Sequence, residues 1–400
     1  MSAEAPHQAI SFEAALGAAE GANFDVLTAR LAVATANANL RSANTAPNPV
    51  LSVNTLQIRP SRIGGLPYGQ LVDSVVRVDL PIERGGKRRA RTGAALASIE
   101  AAKADFGDAR RQMRVAVTGA YFDLKAAEAR VTMLRSVADS YANSQSIATK
   151  QQRAGAISNG DLARQKVEAL RAEGEAQQAV SDWHDAQLAL ATLIGRDADA
   201  LSLATLGDWP VAGIFSAEPA DKIALQRPDV LAADARVEAA RRNLDGAHAL
   251  RHPDITVGAQ YELANGDVGV GSSVGLGVSI PLPVRNRYHG EVDAAGVAVT
   301  QAEAQARKAS AVAIGEILVA RRGLTEAIER RTLFEDSQLP AARKAASVAE
   351  FSYAQGALAL LDLLDARRSL RAVELGAIDA RADEAHAIAR LRAAETTGVN

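Results

Sequence analysis

The 400-residue sequence contains no cysteine, and only 4% of its residues are aromatic. The absence of cysteine excludes disulfide bonds, thiolate metal sites and cysteine nucleophiles. Because aromatic residues are scarce, the bulky side chains that usually fill a wide globular core are missing. A formal net charge of −2 gives no reason to expect a nucleic-acid partner.

Long hydrophobic runs and a leader are also missing. No window holds the run of apolar residues, about 18 or more, that a transmembrane helix needs, so a membrane could be crossed only by strands. The segment from Met1 to His7 lacks the basic and apolar regions of a signal peptide. If the protein is exported, its leader is therefore expected to have been removed from this sequence.

What is abundant is alanine, which suits long helices packed closely side by side. A first helix is predicted over residues 11–44, before the prolines at 47 and 49. No proline occurs from residue 82 to residue 209, and a helical pattern runs there from about Lys87 to Arg153. Such a helix has about 65 residues and a length of about 100 Å. After a break at Gly155 to Gly160, a second helix is predicted to about Ile194.

Strand patterns interrupt these helices twice. The first pair is predicted over Val50 to about Arg59 and Leu71 to Ile82, joined by a turn at residues 60–67. The second pair covers residues 255–263 and 273–282, joined by a turn at 264–267. In the second pair, residues alternate with a period of two, which gives each strand one apolar face and one small or polar face.

The sequence is predicted to contain an internal repeat of two similar halves. The first repeat spans residues 1–205, with a β-hairpin at about 49–83 and a helical turn at about 154–161. A connector follows at 206–222. The second repeat spans 223–400, with a β-hairpin at about 253–284 and a helical turn at about 355–362. Its long helix is predicted from Arg287 to Gln355 with a kink at Pro340, and its last helix ends at about Ala394.

Four strands of this kind do not form a closed sheet. Strands of about 10 to 12 residues with one apolar face are typical of an outer-membrane β-barrel, in which an open edge would leave backbone groups unsatisfied in lipid. The pattern therefore predicts a barrel completed by other copies of the chain. An antiparallel sheet of a soluble α+β protein does not explain the very long helices beside each hairpin. A coiled coil with strand-like inserts is a further alternative.

The two predicted helical turns hold the candidate functional residues. Asp362 and Asp365 are three residues apart, so they share a face near the positive end of the last helix. An ordinary helix N-terminus with solvated acids would explain them alone, but the segment has a counterpart about 200 residues earlier. That counterpart supplies four further candidates: Gly155, Gly160, Asp161 and Arg164. The glycines either act as hinges or only end helices.

Motifs for catalysis or metal binding are absent from the sequence. It has no His-Glu-x-x-His, no serine elbow and no P-loop. His248 and His252 lie four residues apart near Asp254, but His252 precedes Pro253 where a helix gives way to a strand, so a metal site has little support. The sequence predicts no enzyme, no cofactor and no metal site.

The order and spacing of several short motifs resemble those of the TolC-like outer membrane efflux proteins, over about residues 11–395. The motifs are Asn48-Pro49, Arg227-Pro228-Asp229-Val230, Ile280-Pro281-Leu282, Tyr353-Ala354-Gln355-Gly356 and Leu361-Asp362-Leu363-Leu364-Asp365-Ala366. The basic segment Leu80 to Arg91 is most similar to that of CzcC-type members, which serve heavy-metal resistance pumps. A basic girdle where strand becomes helix would explain the same residues without bearing on the substrate.

The resemblance implies a mainly α fold with a four-stranded β contribution. It further implies a homotrimer with a twelve-stranded barrel in the outer membrane of a Gram-negative bacterium and a long periplasmic helical tunnel. The partners it implies are a periplasmic adaptor protein, an inner-membrane proton-driven pump of the resistance-nodulation-division class and outer-membrane lipid.

The resemblance also assigns roles to the second helical turn. Asp362 and Asp365 match aspartates that ring the tunnel's tip, and Tyr353 and Gly356 match the turn that helps to hold it shut. Leu358 departs from the pattern, because many relatives carry an arginine there. The expected function is a passive exit duct for divalent cations of the cobalt, zinc, cadmium or nickel type. A drug-efflux or type I secretion conduit is the alternative within this class, and a coiled-coil scaffold is the alternative outside it.

Overall fold

The computed structural model describes residues 8–56, 73–213, 215–266 and 269–398. They form two compact units, and both halves of the chain contribute to each. The first unit comprises Met1–Arg30, Phe106–Pro228 and Ser310–Asn400, and the second comprises Leu31–Asp105 and Asp229–Ala309. The predicted repeat boundaries stay a prediction.

Most of the described chain is helical. The helices are α1 (Phe12–Ala22), α2 (Phe24–Ala43), α3 (Lys87–Arg153), α4 (Asn159–Ile194), α5 (Ala220–Ala224), α6 (Pro228–Ala249), α7 (His289–Thr332), α8 (Leu339–Ala354) and α9 (Leu360–Ala394). The bounds of α3, α4 and α9 agree with the sequence pattern. Across the described ranges, none of the helices is both long enough and apolar enough to span a membrane.

Two predicted helices are interrupted. The helix predicted over 11–44 breaks at Asn23, whose side-chain oxygen accepts the N–H groups of Asp25 and Val26 at 3.0 and 3.2 Å and so caps α2. The helix predicted from Arg287 contains a π-helical turn at Leu333–Gln338, immediately before α8. Pro340 lacks the N–H that a regular helix would use there, so the irregular turn lies close to the predicted kink.

The six described strands form two sheets. They are β1 (Gln8–Ser11), β2 (Val50–Leu56), β3 (Asp73–Ile82), β4 (Leu203–Leu206), β5 (Ile255–Gly266) and β6 (Gly269–Ser279). In the second unit, β2, β3, β5 and β6 form an antiparallel sheet in that order. The turn predicted at 264–267 was placed too early, because residues 264–266 pair with residues 269–271. Residues 57–59, 71 and 72, the turn at 60–67, and Asp267 lie outside the described residues.

The four-stranded sheet has two chemically distinct faces. The register aligns Val53, Val76, Tyr261 and Val274 across all four strands on one face. This face is open to solvent, and Val274 is 78% exposed. On the opposite face, Arg77 donates hydrogen bonds to Asp79 at 2.9 Å and to Gln260 at 3.2 Å, and its guanidinium lies over Gly277. The predicted alternation of apolar and small or polar residues is therefore confirmed for the described residues.

The first unit has a small parallel sheet and an aromatic core. Strands β1 and β4 pair in parallel, and neither was predicted, because four residues are too few to show a period. The Tyr121 hydroxyl lies 3.0 Å from the Ile10 carbonyl oxygen and accepts the Leu206 N–H at 3.1 Å, so it ties both strands to α3. Phe12, Phe122 and Trp209 complete the aromatic cluster.

Candidate functional site at the two helical turns

The turn between α3 and α4 is shaped by Gly155 and Ser158. Gly155 has a φ of 74°, a left-handed conformation that glycine adopts without strain. The Ser158 hydroxyl accepts the Asp161 N–H at 3.0 Å and donates to the Asp161 carboxylate at 2.8 Å, so it caps α4. Gly160 lies inside the first turn of α4 with an ordinary helical backbone, so the fold requires no glycine there.

The turn between α8 and α9 has the same backbone hydrogen bonds as the first turn. Gly356 has a φ of 71°, and its N–H donates to the Tyr353 carbonyl at 3.0 Å. The next N–H, that of Ala357, donates to the Ser352 carbonyl at 2.9 Å. The same two bonds occur 201 residues earlier, where Gly155 donates to Gln152 and Ala156 donates to Gln151.

The two aspartates of the second turn are accessible. Asp362 lies in the first turn of α9, and both Asp362 and Asp365 are exposed. Within the described part of the chain, neither carboxylate forms an ion pair, whereas Asp161 pairs with Arg164 at 3.4 Å. Asp161 and Arg164 of the first turn are thus in contact with each other, whereas Asp362 and Asp365 are exposed carboxylates without an ion pair in the described residues.

Tyr353 lies half-buried beneath the second turn. It packs against the hydrophobic core of the first unit. Together with Leu360, Leu364 and Arg367 it also lines a cavity of about 170 Å³. Leu358, which takes the place of the expected arginine, is also half-buried. The turn is therefore fixed by apolar packing and by residues further along α9.

Three arginines on α9, Arg367, Arg368 and Arg371, join it to the neighbouring helices, and we call them the arginine clasp. The Arg367 side chain donates to Glu350 of α8 at 2.9 Å and to Ser144 of α3 at 3.0 Å. Its guanidinium also lies 5.7 Å from the ring centroid of Tyr141. Arg367 thus connects three helices next to the second turn.

The other two arginines of the clasp reach α4. Arg368 forms a two-point ion pair with Glu168, and Arg371 pairs with Glu175 at 2.8 Å. Hydrogen bonding from Arg368 lowers the pKa of the buried Glu168 carboxyl below its ordinary value. The sequence reasoning missed these contacts, because the partners are about 200 residues apart. The available signal in the sequence was that both α9 and α4 carry charged residues at helical spacing, which does not indicate which of them pair.

Asp254, the acid beside the histidine pair considered in the sequence, has other partners in the structure. The Asp254 carboxylate is engaged by Lys87 at 2.8 Å and by the backbone N–H of Arg84 at 2.9 Å. His252 packs against Gly85. Over the ranges that the structure covers, no group of three or more potential metal-binding side chains occurs.

Comparison with known proteins identifies the family of this chain. The family described as outer membrane efflux protein matches residues 15–196 and 220–395. The cobalt-zinc-cadmium resistance protein CzcC of Cupriavidus metallidurans is 28% identical over 90% of this chain and 84% of its own. The pyoverdine export outer membrane protein OpmQ of Pseudomonas putida is 29% identical over 72% of this chain and 62% of its own.

A solved structure supports the fold. The CmeC outer membrane channel of Campylobacter jejuni superimposes with a TM-score of 0.80 at 18% identity, over 96% of this chain and 85% of that one. The expected mainly helical, TolC-like fold is therefore confirmed. Since the family and these relatives are channel proteins, the prediction that the chain is not an enzyme is confirmed too. The chain belongs to the outer membrane efflux protein family and is a channel component of that class.

Proposed function

We propose that this chain is the exit duct of a tripartite resistance-nodulation-division efflux system that exports divalent heavy-metal cations of the cobalt, zinc, cadmium or nickel type. The observation that carries the proposal is the similarity to CzcC, a cobalt-zinc-cadmium resistance protein, over 90% of this chain and 84% of that relative. A periplasmic adaptor protein and an inner-membrane pump would be its partners.

The exposed apolar face of the sheet supports assembly into a homotrimer in the outer membrane. In the described residues, β2 and β6 are the edge strands and each has one unpaired edge. Open edges are unfavourable in lipid, so we propose that three copies pool their strands into one closed sheet of twelve. The apolar face would then contact lipid, and the face with Arg77 and Asp79 would line the passage.

The second helical turn supports cation transport. In a trimer, Asp362 and Asp365 would contribute six carboxylates around the passage, together with Tyr353 and Gly356 at the turn that closes it. A ring of carboxylates attracts cations and repels anions. We propose that this ring is the last filter for the exported metal ions, and that the first turn, with Gly155, Asp161 and Arg164, lies beside it.

Planar-bilayer recordings of the double variant Asp362→Asn with Asp365→Asn test the ring. Removing both charges is expected to lower the cation selectivity of the channel and to weaken its block by multivalent cations. The matched control is Asp379→Asn with Asp383→Asn, which removes the same charge from α9 at two carboxylates that pair with Arg130 and Arg330. Unchanged selectivity in the first variant, or an equal change in the control, would contradict the proposed ring.

The substrate is tested in a strain that lacks this gene. Loss of the duct is expected to reduce tolerance to zinc, cobalt, cadmium or nickel more than tolerance to drugs. The similarity to a pyoverdine export protein favours a second candidate, a duct for siderophores or other organic compounds. A deletion strain with normal metal tolerance and impaired export of such compounds would support that second candidate.

A further inference from the structure

The apolar face of the four-stranded sheet ends at a defined edge. Ile82, at the end of β3, pairs with Ile255, at the start of β5, and Thr256 pairs with Ser279 at the end of β6. The strands therefore join their helices along one common edge. Apolar side chains at this edge are exposed, since Ile82 is 46% and Ile280 is 43% accessible.

Basic residues begin directly beyond this edge. Between Glu83 and Arg91 the sequence holds five basic residues and one acidic residue, although the whole chain has a net charge of −2. Arg285 and Arg287 follow β6, and Arg251 precedes β5. Positive charge is thus concentrated where the sheet gives way to helices.

Two of these basic residues are neutralised inside the chain. Lys87 pairs with Asp254 at 2.8 Å, and Arg91 pairs with Glu83 at 2.7 Å. The other six form no ion pair with a carboxylate anywhere in the described ranges. Arg84 already donates its backbone N–H to Asp254. We call the remaining five the junction patch: Arg88, Arg89, Arg251, Arg285 and Arg287.

Local contacts hold the junction patch in place without neutralising it. Arg88 donates to the uncharged Asn44 side chain at 3.0 and 3.2 Å. In the loop after β6, Asn286 donates to Glu291 at 3.0 Å and accepts the Tyr288 N–H at 2.8 Å, which fixes the backbone between Arg285 and Arg287. Arg88 is therefore held in position, the backbone that carries Arg285 and Arg287 is fixed, and the exposed charges of the patch are accessible to an anion.

The start of α3 adds to the positive charge of the junction patch. Its first turn contains Lys87, Arg88 and Arg89 and no acidic residue. Positive side chains are unfavourable at a helix N-terminus, where the helix dipole is itself positive. An anion beside this turn would offset both the side-chain charges and the dipole.

We propose that the junction patch binds the phosphate headgroups of anionic phospholipids whose acyl chains lie along the apolar face of the sheet. A phospholipid combines a hydrocarbon chain with a phosphate at its end, which is the order of surfaces along β3 and β6. Guanidinium groups bind phosphate oxygens through paired hydrogen bonds. This inference rests on the proposed function, because it requires the sheet to lie in a membrane.

The experiment compares lipid binding by the intact protein and by the triple variant Arg89→Gln, Arg285→Gln, Arg287→Gln. Each protein, purified in neutral detergent, is titrated with phosphatidylglycerol or phosphatidylcholine, and bound lipid is counted by native mass spectrometry. The native protein is expected to prefer phosphatidylglycerol. The variant is expected to lose about a hundredfold of its affinity for that lipid, since each of the three basic residues near a charged bilayer surface contributes roughly a factor of five.

A charge-matched triple variant serves as the control: Arg236→Gln, Arg241→Gln and Arg322→Gln. These three arginines pair with Asp105, Glu303 and Glu326 on helices. The control is expected to bind phosphatidylglycerol like the native protein. An equal loss in the control, or no preference in the native protein, would overturn the inference. So would competition by inorganic phosphate at similar concentrations, which would indicate a site for small anions instead.

The proposed function is read out separately. The native protein and the triple variant are both reconstituted in planar bilayers of phosphatidylcholine alone, where no anionic lipid is present. If both proteins conduct ions but the titration shows no lipid preference, the channel function stands and only the lipid-binding proposal is contradicted. Failure of the native protein to conduct would count against the channel proposal itself.

Discussion

At the scale of single residues, the most informative group is the carboxylate of Glu168. Its side chain is 6% exposed, and it is held by Arg368, which is 44% exposed. Because the partner remains half in water, a variant without the carboxylate can rehydrate the arginine. The ion pair is therefore suited to substitution without leaving a buried, uncompensated charge.

We expect Glu168→Gln to lower the free energy of unfolding by roughly 1 to 2 kcal/mol at pH 7. Since Arg368 lowers the pKa of Glu168 from its ordinary value of 4.5, the stabilisation is fully present above that value and is lost as the pH falls through the lower pKa of the folded state. Thermal denaturation of the native protein and the variant at several pH values checks this.

The control for this prediction is Glu350→Gln. Glu350 pairs with Arg367 on the same helix as Arg368, but its side chain is half exposed. Because the Glu350 carboxylate is half in water and Arg367 keeps its bond to Ser144 when that carboxylate is removed, we expect a smaller loss, below about 1 kcal/mol. A difference between native protein and Glu168→Gln that stays the same from pH 7 to pH 3 would contradict the assigned titration.

Some features of single residues could be predicted from the sequence, and others could not. The helix breaks at Gly155 and Gly356 were predicted from the repeated segment, and the structure adds that both glycines are left-handed, a conformation that glycine adopts without strain. The contact between Arg368 and Glu168 joins residues 200 positions apart, and no local pattern encodes which carboxylate an arginine will meet. The roles of Asp362 and Asp365 stay predictions, since they depend on copies of the chain outside this structure.

At the scale of elements, the π-helical turn between α7 and α8 is fitted to a glycine on α9. A Cβ atom built on Gly376 would lie 2.5 Å from Cε1 and 2.8 Å from Cζ of the Phe334 ring. Phe334 belongs to that turn, so the glycine provides the space that the irregular backbone needs. Glu335 of the same turn pairs with Arg381, which holds the turn to α9.

We expect Gly376→Ala to destabilise the protein by about 1 to 3 kcal/mol, because the added methyl group forces the Phe334 ring to move in a packed interface. Combining it with Phe334→Leu should recover part of the loss, since the smaller side chain makes room. Urea denaturation of Gly376→Ala, of Phe334→Leu and of the double variant measures these values.

Gly315→Ala is the matched control for Gly376→Ala. Gly315 lies on α7, and a Cβ atom there would meet nothing within 4 Å. Replacing an unhindered helical glycine with alanine is expected to stabilise a helix by up to about 1 kcal/mol. If Gly376→Ala stabilised the protein as Gly315→Ala does, the proposed fit between Phe334 and Gly376 would be refuted.

The sequence was most informative about the positions of the helices and strands. The limits of α3, α4 and α9 follow from uninterrupted helical periodicity and from the glycines that end it. Misplaced limits came from local effects that periodicity does not report, such as the cap formed by Asn23 and the extension of β5 to Gly266. Strands β1 and β4 depend on each other for pairing, so neither could be recognised alone.

At the scale of the whole molecule, the first unit contains two helical hairpins that the arginine clasp joins. One hairpin consists of α3 and α4 and the other of α8 and α9, with matching turns. Arg368 and Arg371 fasten α9 to α4, across the two hairpins, whereas the bond from Arg367 to Glu350 lies within one hairpin. If the channel opens by moving one hairpin away from the other, only the contacts across hairpins must break.

Paired cysteines test this mode of opening, and the chain has no cysteine of its own to interfere. The variant Glu168→Cys with Arg368→Cys, joined by a short reversible cross-linker, tethers α4 to α9. We expect the tether to abolish efflux in cells and channel opening in bilayers, and a reductant to restore both. Each single cysteine variant, treated in the same way, measures the effect of losing the ion pair alone.

The control tether joins Glu350→Cys to Arg367→Cys, within the hairpin of α8 and α9. These two helices are already connected by the turn at Gly356, so the added link should leave opening and efflux close to those of the untreated variant. Blocked efflux with both tethers would show that the two helices of one hairpin must also separate during opening. Undiminished efflux with the tether between α4 and α9 would show that the passage opens without separating the two hairpins, and the clasp would then have a purely structural role.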